Sequence, residues 1–249
     1  MPVSAYMQTC LHDPADGYYA RGAGLGRDFI TAPETSQMFG ELLGLWLVNE
    51  WRAIGDSSPF NLVELGGGRG TLMADALRAA FNIAGSDLAK LMSLTLIEAS
   101  PDLKKQQAKA LKAYLPDFKN SIEEVTPGIS FILANEFLDC LPARQFVQDG
   151  EVWRERIVGL GEDGEPVFGI DRSDLTAEAA ASIPPVGVNA EAELQPGLDG
   201  LVDTLLARHE QGDRFRALFI DYGPADRAPG NTLRAYRHGE QIDLSLIHI

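Results

Sequence analysis

The spacing of apolar positions changes character along the chain. Across residues 35–51 (TSQMFGELLGLWLVNEW), Met38, Leu42, Leu45 and Trp46 recur at helical intervals. This predicts an amphipathic to mostly buried helix, with Thr35 or Ser36 as its cap. From Asn61 onward, short apolar runs alternate with helical stretches. Strands are predicted over 62–65, 91–98 and 129–134, with helices over 71–84 and 101–115, the second opening on Pro101. Residues 145–158 and 166–170 read as strand pieces, the first pair separated by an Asp149-Gly150 hairpin turn. Residues 171–200 read as loop with a short helix, 198–212 as a helix, and 216–221 as a buried strand ending in Asp221-Tyr222-Gly223. The βαβ alternation predicts an α/β fold with an open, mainly parallel sheet and helices on both faces. Residues 1–60 lack that alternation and are expected to form an N-terminal helical extension.

The junction of the first strand and its helix, NLVELGGGRGTLMADA, carries the most chemistry. Gly66, Gly68 and Gly70 free the backbone to turn tightly and pass close to a ligand. A strand, a glycine turn and a helix N-terminus form a nucleotide-cofactor cradle. The dinucleotide pattern G-x-G-x-x-G fails, because the third glycine position is Thr71 or Met73. No Gly-Lys-Ser/Thr ending exists for a phosphate loop. The remaining pattern, Glu64-x-Gly66-x-Gly68-x-Gly70, looks like the first motif of class I S-adenosylmethionine methyltransferases. That cofactor has no pyrophosphate, and its ammonium and sulfonium favour a nearby acid.

In such sheets ligands gather outside the carboxyl ends of the strands. Glu98 closes the second strand, 28 residues beyond Gly70, where an acid can bind the ribose hydroxyls. After the third strand comes ANEFLDCLP, in which Glu136 and Asp139 are three residues apart. One helical turn would set both carboxylates on one side, a pair suited to a planar guanidinium. The carboxylates would draw charge from the reacting nitrogen and take up its proton. The N-terminal segment with Tyr18, Tyr19, Arg27, Asp28, Phe29, Thr31 and Glu34 reads equally as a lid over the cofactor or as a structural extension packed on the sheet.

Composition narrows the class. Of 249 residues, 45% are hydrophobic and 23% charged, ordinary for a soluble globular protein. No apolar run approaches the length of a membrane span, and MPVSAYMQTC lacks the pattern of a secretory signal. Cys10 and Cys140 do not suggest a disulfide framework, so a reducing cytoplasm is expected. No Cys/His cluster has metal-ligand spacing, so no metal is expected. With 36 acids against 21 bases and a net charge of −15, the chain would repel a phosphate backbone, which lowers the case for a nucleic-acid substrate.

Several motifs together resemble the MidA-type family, whose mitochondrial members are described as complex I assembly factors and protein arginine methyltransferases. They are CLHDPADGYYARG, GRDFITAPETSQMFGELLGLWL, VELGGGRGTLMADALRA, LIEASPDLKKQQ, ANEFLDCLPARQF, WRERIVGL, and ALFIDYG followed by GNTLRAY. The resemblance implies a class I methyltransferase (Rossmann-like) fold with S-adenosylmethionine as donor and a protein arginine as acceptor. It assigns Glu64, Gly66, Gly68, Gly70 and Glu98 to cofactor binding, and Asn135, Glu136 and Asp139 to the acidic catalytic signature. Gly67 stands where relatives often have proline or alanine. Under this reading a methyltransferase domain spans 61–243. Residues 244–249 are a tail unlike the family's continuation, and the sheet is expected to be incomplete at its C-terminal side. A protein substrate is the expected partner, with a homodimer as a further one, in the cytoplasm or, for eukaryotic relatives, the mitochondrial matrix. The alternatives are a non-catalytic, cofactor-binding assembly factor and a methyltransferase of small molecules.

Overall fold

The computed structural model describes residues 1–19, 31–55, 58–150, 152–173, 175, 177–183, 190–223, 231–237 and 240–242. Three helices open the chain: α1 (Val3–His12), α2 (Ala32–Thr35) and α3 (Gln37–Ile54). The alternating region follows with β1 (Phe60–Leu65), α4 (Thr71–Ala84), α5 (Ser86–Leu91), β2 (Met92–Ile97), α6 (Pro101–Ala110), β3 (Asp117–Lys119) and β4 (Ile129–Asn135). Then come β5 (Arg144–Asp149), β6 (Val152–Leu160), β7 (Pro166–Ile170), α7 (Ala177–Ser182) and β8 (Glu191–Leu194). The last elements are α8 (Pro196–Glu210), β9 (Arg214–Ile220), β10 (Ala235–Arg237) and β11 (Glu240–Ile242).

Five strands form one sheet in the order β3-β2-β1-β4-β9, every neighbouring pair parallel. In central β1, Leu62 and Val63 are both fully buried, as a strand covered on both faces requires. Phe60 and Leu62 pack with Leu47, Val48 and Trp51 of α3 and Met73 and Leu77 of α4. Val63 and Leu65 face the other way, toward Leu205 of α8, Ile122 and Val125. This is the open parallel α/β sheet with helices on both faces that the alternation predicts. Between β4 and α8 the chain builds a second, antiparallel sheet, β7-β6-β5-β8, and α1 packs on it through Val3 and Met7 against Ala143 and Val158.

Several local expectations change. The helix expected from Thr35 is α3, which begins at Gln37; Ala32–Thr35 forms its own turn, and Ser36 stands at the cap position without a side-chain bond. The Pro101 helix ends at Ala110 and continues as a 3-10 turn over Lys112–Tyr114. Its start is capped by Ser100, whose Oγ accepts the Leu103 N–H at 3.3 Å. Residues 171–200 hold strand β8 as well as the short helix, and helix α1 lies within the expected N-terminal helical extension, at a place no individual helix is predicted. The tail 244–249 lies outside the described residues.

Helices α3 and α4 approach closely at glycines. A methyl group on Gly44 would lie 2.2 Å from the Ala76 carbonyl oxygen, a backbone atom that cannot swing aside. Replacing Gly44 by alanine is therefore expected to destabilise the fold by about 1–3 kcal/mol despite alanine's better helix propensity. Urea denaturation of the variant measures it, and equal or greater stability would contradict the close-packed crossing.

Candidate active site

The carboxyl ends of β1, β2, β4 and β9 meet at one edge of the parallel sheet. The pairing sets Leu65 opposite Ile97 and Ala134, and Asn135 opposite Ile220. Glu64, Glu98, Glu136 and Asp221 therefore occupy the end or the first residue beyond each strand.

The glycine loop adopts the backbone that its composition requires. Gly66, Gly68 and Gly70 have φ of 64°, 53° and 84°, in the left-handed region that residues with a Cβ avoid. Space is restricted as well: a Cβ on Gly66 would stand 2.8 Å from the Phe137 ring, and one on Gly70 would stand 3.3 Å from Gln107 Cα. The loop is pinned by the Gly66 N–H to Ile97 O at 3.0 Å and the Gly70 N–H to Gly67 O at 2.8 Å. The Phe137 contact brings the loop against the acidic turn after β4.

Glu64 lies beneath this loop at 1% exposure. Neither of its carboxyl oxygens has a donor among the described residues. Burial, and then the charge of Glu98, push its carboxyl up to about 8. Its Oε2 lies 2.4 Å from the place a Cβ of Gly67 would occupy, so a side chain at that position and this placement of Glu64 exclude each other. Glu98, also buried, accepts the Ser100 N–H at 2.9 Å and the Gln107 amide at 3.0 Å. Burial raises its carboxyl, against the lowering effect of those hydrogen bonds. The Gln107 amide also donates to Gly68 O at 2.8 Å, joining the acid to the glycine loop. Sequence reasoning missed Gln107. Its signal is a polar residue on the buried side of the charged helix α6, fully enclosed in the structure.

The acidic turn departs from the expected helical geometry. Residues 136–140 form bends and a turn, and Glu136 has φ of 51°. A left-handed residue other than glycine costs about 1–2 kcal/mol. Asn135 is the last residue of β4, and its amide donates to Glu136 Oε1 at 3.3 Å. Glu136 and Asp139 are brought together by this turn in place of a helix face. Burial raises the carboxyl of Glu136, opposed by the Ala32 N–H and the Asn135 amide, with Asp139 and Asp221 adding to the rise. Asp139 is exposed as a residue, yet its carboxyl is raised by partial desolvation and next by the charge of Asp221. Asp221, which sequence reasoning took only as a strand end, accepts the N–H groups of Leu138 at 2.7 Å and Asp139 at 3.2 Å. Exposed Tyr222 beside them has its hydroxyl raised, first by the charge of Glu136.

The N-terminal segment touches both halves of the site. Glu34 accepts the Thr71 hydroxyl at 3.0 Å and lies 3.8 Å from the Arg69 guanidinium. Under the acidic turn, His12 Nε2 contacts Cys140 O at 3.0 Å and the Tyr19 hydroxyl bonds the Cys140 thiol. Arg27, Asp28 and Phe29 of the expected lid lie outside the described residues. Both cysteines are free thiols. Among the described residues, no helix is long and apolar enough to cross a membrane, and no acid, His or Cys group has the arrangement to hold a metal.

Glycine loop, buried acids and sheet order together define a class I methyltransferase architecture. A family profile described as "Putative S-adenosyl-L-methionine-dependent methyltransferase" matches residues 42–247, and the chain belongs to this family. It is 36% identical over 270 residues to the mitochondrial protein arginine methyltransferase NDUFAF7 of Danio rerio, covering 96% of this chain and 62% of that protein. The Homo sapiens counterpart is 42% identical over 183 residues, covering 64% of this chain and 41% of that protein. A Burkholderia thailandensis crystal structure bound to S-adenosyl-homocysteine matches with a TM-score of 0.76 at 26% identity, covering 97% of this chain and 64% of that one. The chain thus spans less than two thirds of the length of these relatives. The family resemblance read from the motifs is borne out.

The residues present fit that ligand. Glu64 offers two unpaired acceptors to a cation, Glu98 retains lone pairs for a hydroxyl, and the glycines leave room for close approach.

The burial of Glu64 has a consequence for stability. Between the ordinary 4.5 and about 8, the folded chain keeps a proton that the unfolded chain has released. The stability this gives is complete below 4.5 and is lost as pH rises toward about 8. Glu64→Gln is expected to flatten that slope in thermal melts of the cofactor-free protein. An unchanged slope would assign the pH dependence to other groups.

Proposed function

We propose that this protein is an S-adenosylmethionine-dependent methyltransferase whose acceptor is the guanidinium of a protein arginine. The observation that carries the acceptor is the cluster of Glu136 and Asp139 with Asp221 at the ends of β4 and β9, one strand from the glycine loop and in contact with it through Phe137. The cofactor, when bound, supplies a methyl group on a sulfonium. Glu64 faces its ammonium, Glu98 holds its ribose hydroxyls, and Gly66, Gly68 and Gly70 let the backbone approach it.

Glu136 and Asp139 hold the guanidinium by charge-assisted bonds and turn one nitrogen toward the cofactor edge. Localising the positive charge away from that nitrogen makes it a better nucleophile. The proton released on methylation passes to one of these carboxylates, whose raised proton affinity suits it to accept. Asn135 steadies Glu136 through its amide. The names of the NDUFAF7 relatives support an arginine acceptor, and the family resemblance of the motifs implies a respiratory complex I subunit as the acceptor of the mitochondrial members. Two free thiols suit a reducing compartment, the cytoplasm or the mitochondrial matrix.

Two variants separate the cofactor and acceptor assignments. Gly68→Val forces a β-branched residue into φ of 53° and is expected to abolish calorimetric binding of S-adenosyl-homocysteine. Unchanged affinity would refute the cradle. Glu136→Gln is expected to lower methyl transfer to arginine peptides by roughly 10²-fold or more, with cofactor affinity retained. Full transfer by this variant would exclude Glu136 from the acceptor site.

A further inference from the structure

Asp221 follows the last residue of β9, and the parallel register with β4 sets it beside the turn that carries Glu136 and Asp139. Its Oδ2 accepts the Leu138 N–H at 2.7 Å and the Asp139 N–H at 3.2 Å, and its Oδ1 accepts the Tyr222 N–H at 2.8 Å. Two successive N–H groups on one oxygen fix the peptide from which the Asp139 side chain departs. An asparagine oxygen would still accept those two donors, while its amide nitrogen could not accept the Tyr222 N–H. A carboxylate adds a negative charge close to two other acids, and that charge opposes the ionisation of both. The other titratable groups packed around the turn are Cys140, Tyr222, Tyr19 and His12. Among the described residues, no lysine or arginine of the chain pairs with Glu136, Asp139 or Asp221.

We propose that Asp221 is the positioning residue of the acceptor site. It locks the Leu138–Asp139 backbone and sets a third carboxyl group beside Glu136 and Asp139, so that a guanidinium bound there relieves the three acids together. The inference rests on the reading of Glu136 and Asp139 as the acceptor-holding pair. Two contributions are then separable: the hold on the Leu138–Asp139 backbone, which asparagine keeps, and charge, which it removes.

The test uses the full chain as wild type, Asp221→Asn and Asp221→Ala. The probe is the tripeptide acetyl-Gly-Arg-Gly-amide, with its norleucine counterpart as control. S-adenosyl-homocysteine binding within about twofold of wild type certifies that each variant is folded. Wild type is expected to bind the arginine peptide and not the control, more weakly as pH falls and the acids protonate. Asp221→Ala is expected to lose roughly tenfold or more in peptide affinity. Asp221→Asn is expected to recover part of that loss, and its binding to persist to lower pH, because Glu136 and Asp139 now ionise more readily. If Asp221→Asn leaves the pH dependence unmoved, or Asp221→Ala binds as wild type does, the inference is overturned while the acceptor reading stands. If wild type does not discriminate arginine from norleucine, the acceptor reading fails and this inference falls with it. Should Asp221→Ala not fold, the pH profile of Asp221→Asn alone decides.

Discussion

The in-register parallel pairing of β1 with β2 on one side and β4 on the other is the constraint from which the rest follows. β1 and β2 end at the same rung, and β4 and β9 end together one residue beyond it. Parallel strands cannot be joined by tight hairpins, so each returns through a crossover that begins at this edge. The loops that open those crossovers are thereby stacked side by side. Because β1 is covered on both faces, its interior positions accept only apolar side chains, and polar chemistry is displaced to the rim. Glu64 is the extreme case, since it sits inside the last rungs of the strand, shielded from water and without a partner among the described residues.

Hydrogen-bond accounting divides the acids at this rim into two groups. Glu98 and Asp221 are each held by backbone or amide donors, which fix the orientation of both carboxylates. Among the described residues, Glu64 has no donor, half-buried Glu136 accepts from the Ala32 N–H and the Asn135 amide, and exposed Asp139 accepts from the Cys140 thiol. Unpaired buried acceptors are costly in a folded protein unless a ligand or proton relieves them. On the proposed function, Asp221 serves the protein, Glu98 is oriented by the protein to meet the ribose, and the second group meets its ligands directly. The overall negative charge of the chain suits such ligands, since both a sulfonium and a guanidinium are cations.

Much of this was legible in the sequence, for reasons that differ between elements. The helix over 71–84 and the strands at 129 and 166 have strong periodicity or sharp turn residues at their ends, and the structure places them within a residue of expectation. The glycine loop was legible because three alternating glycines have few explanations other than a left-handed backbone, and all three are left-handed. Helix α1 was not legible, because it buries only Val3, Met7 and Cys10, against a sheet that lies more than a hundred residues away in the chain. Nor was the geometry of Glu136 and Asp139. A three-residue spacing suggests a helix, but the Asp221 carboxylate recruits the N–H groups that a helix would direct inward. Gln107 gives only the faint signal of a polar residue on the buried side of α6, and the contacts of Asp221 lie more than eighty residues away in the chain.

The Gln107 amide touches both Gly68 and Glu98, which come from different loops. A ligand that tightens its hold on one therefore adjusts the other through a shared donor. The contributions of the glycine loop and the ribose-facing acid to affinity are then not separable quantities. Summed effects of single substitutions at these two places would differ from the double substitution, with Gln107 as the origin of the difference.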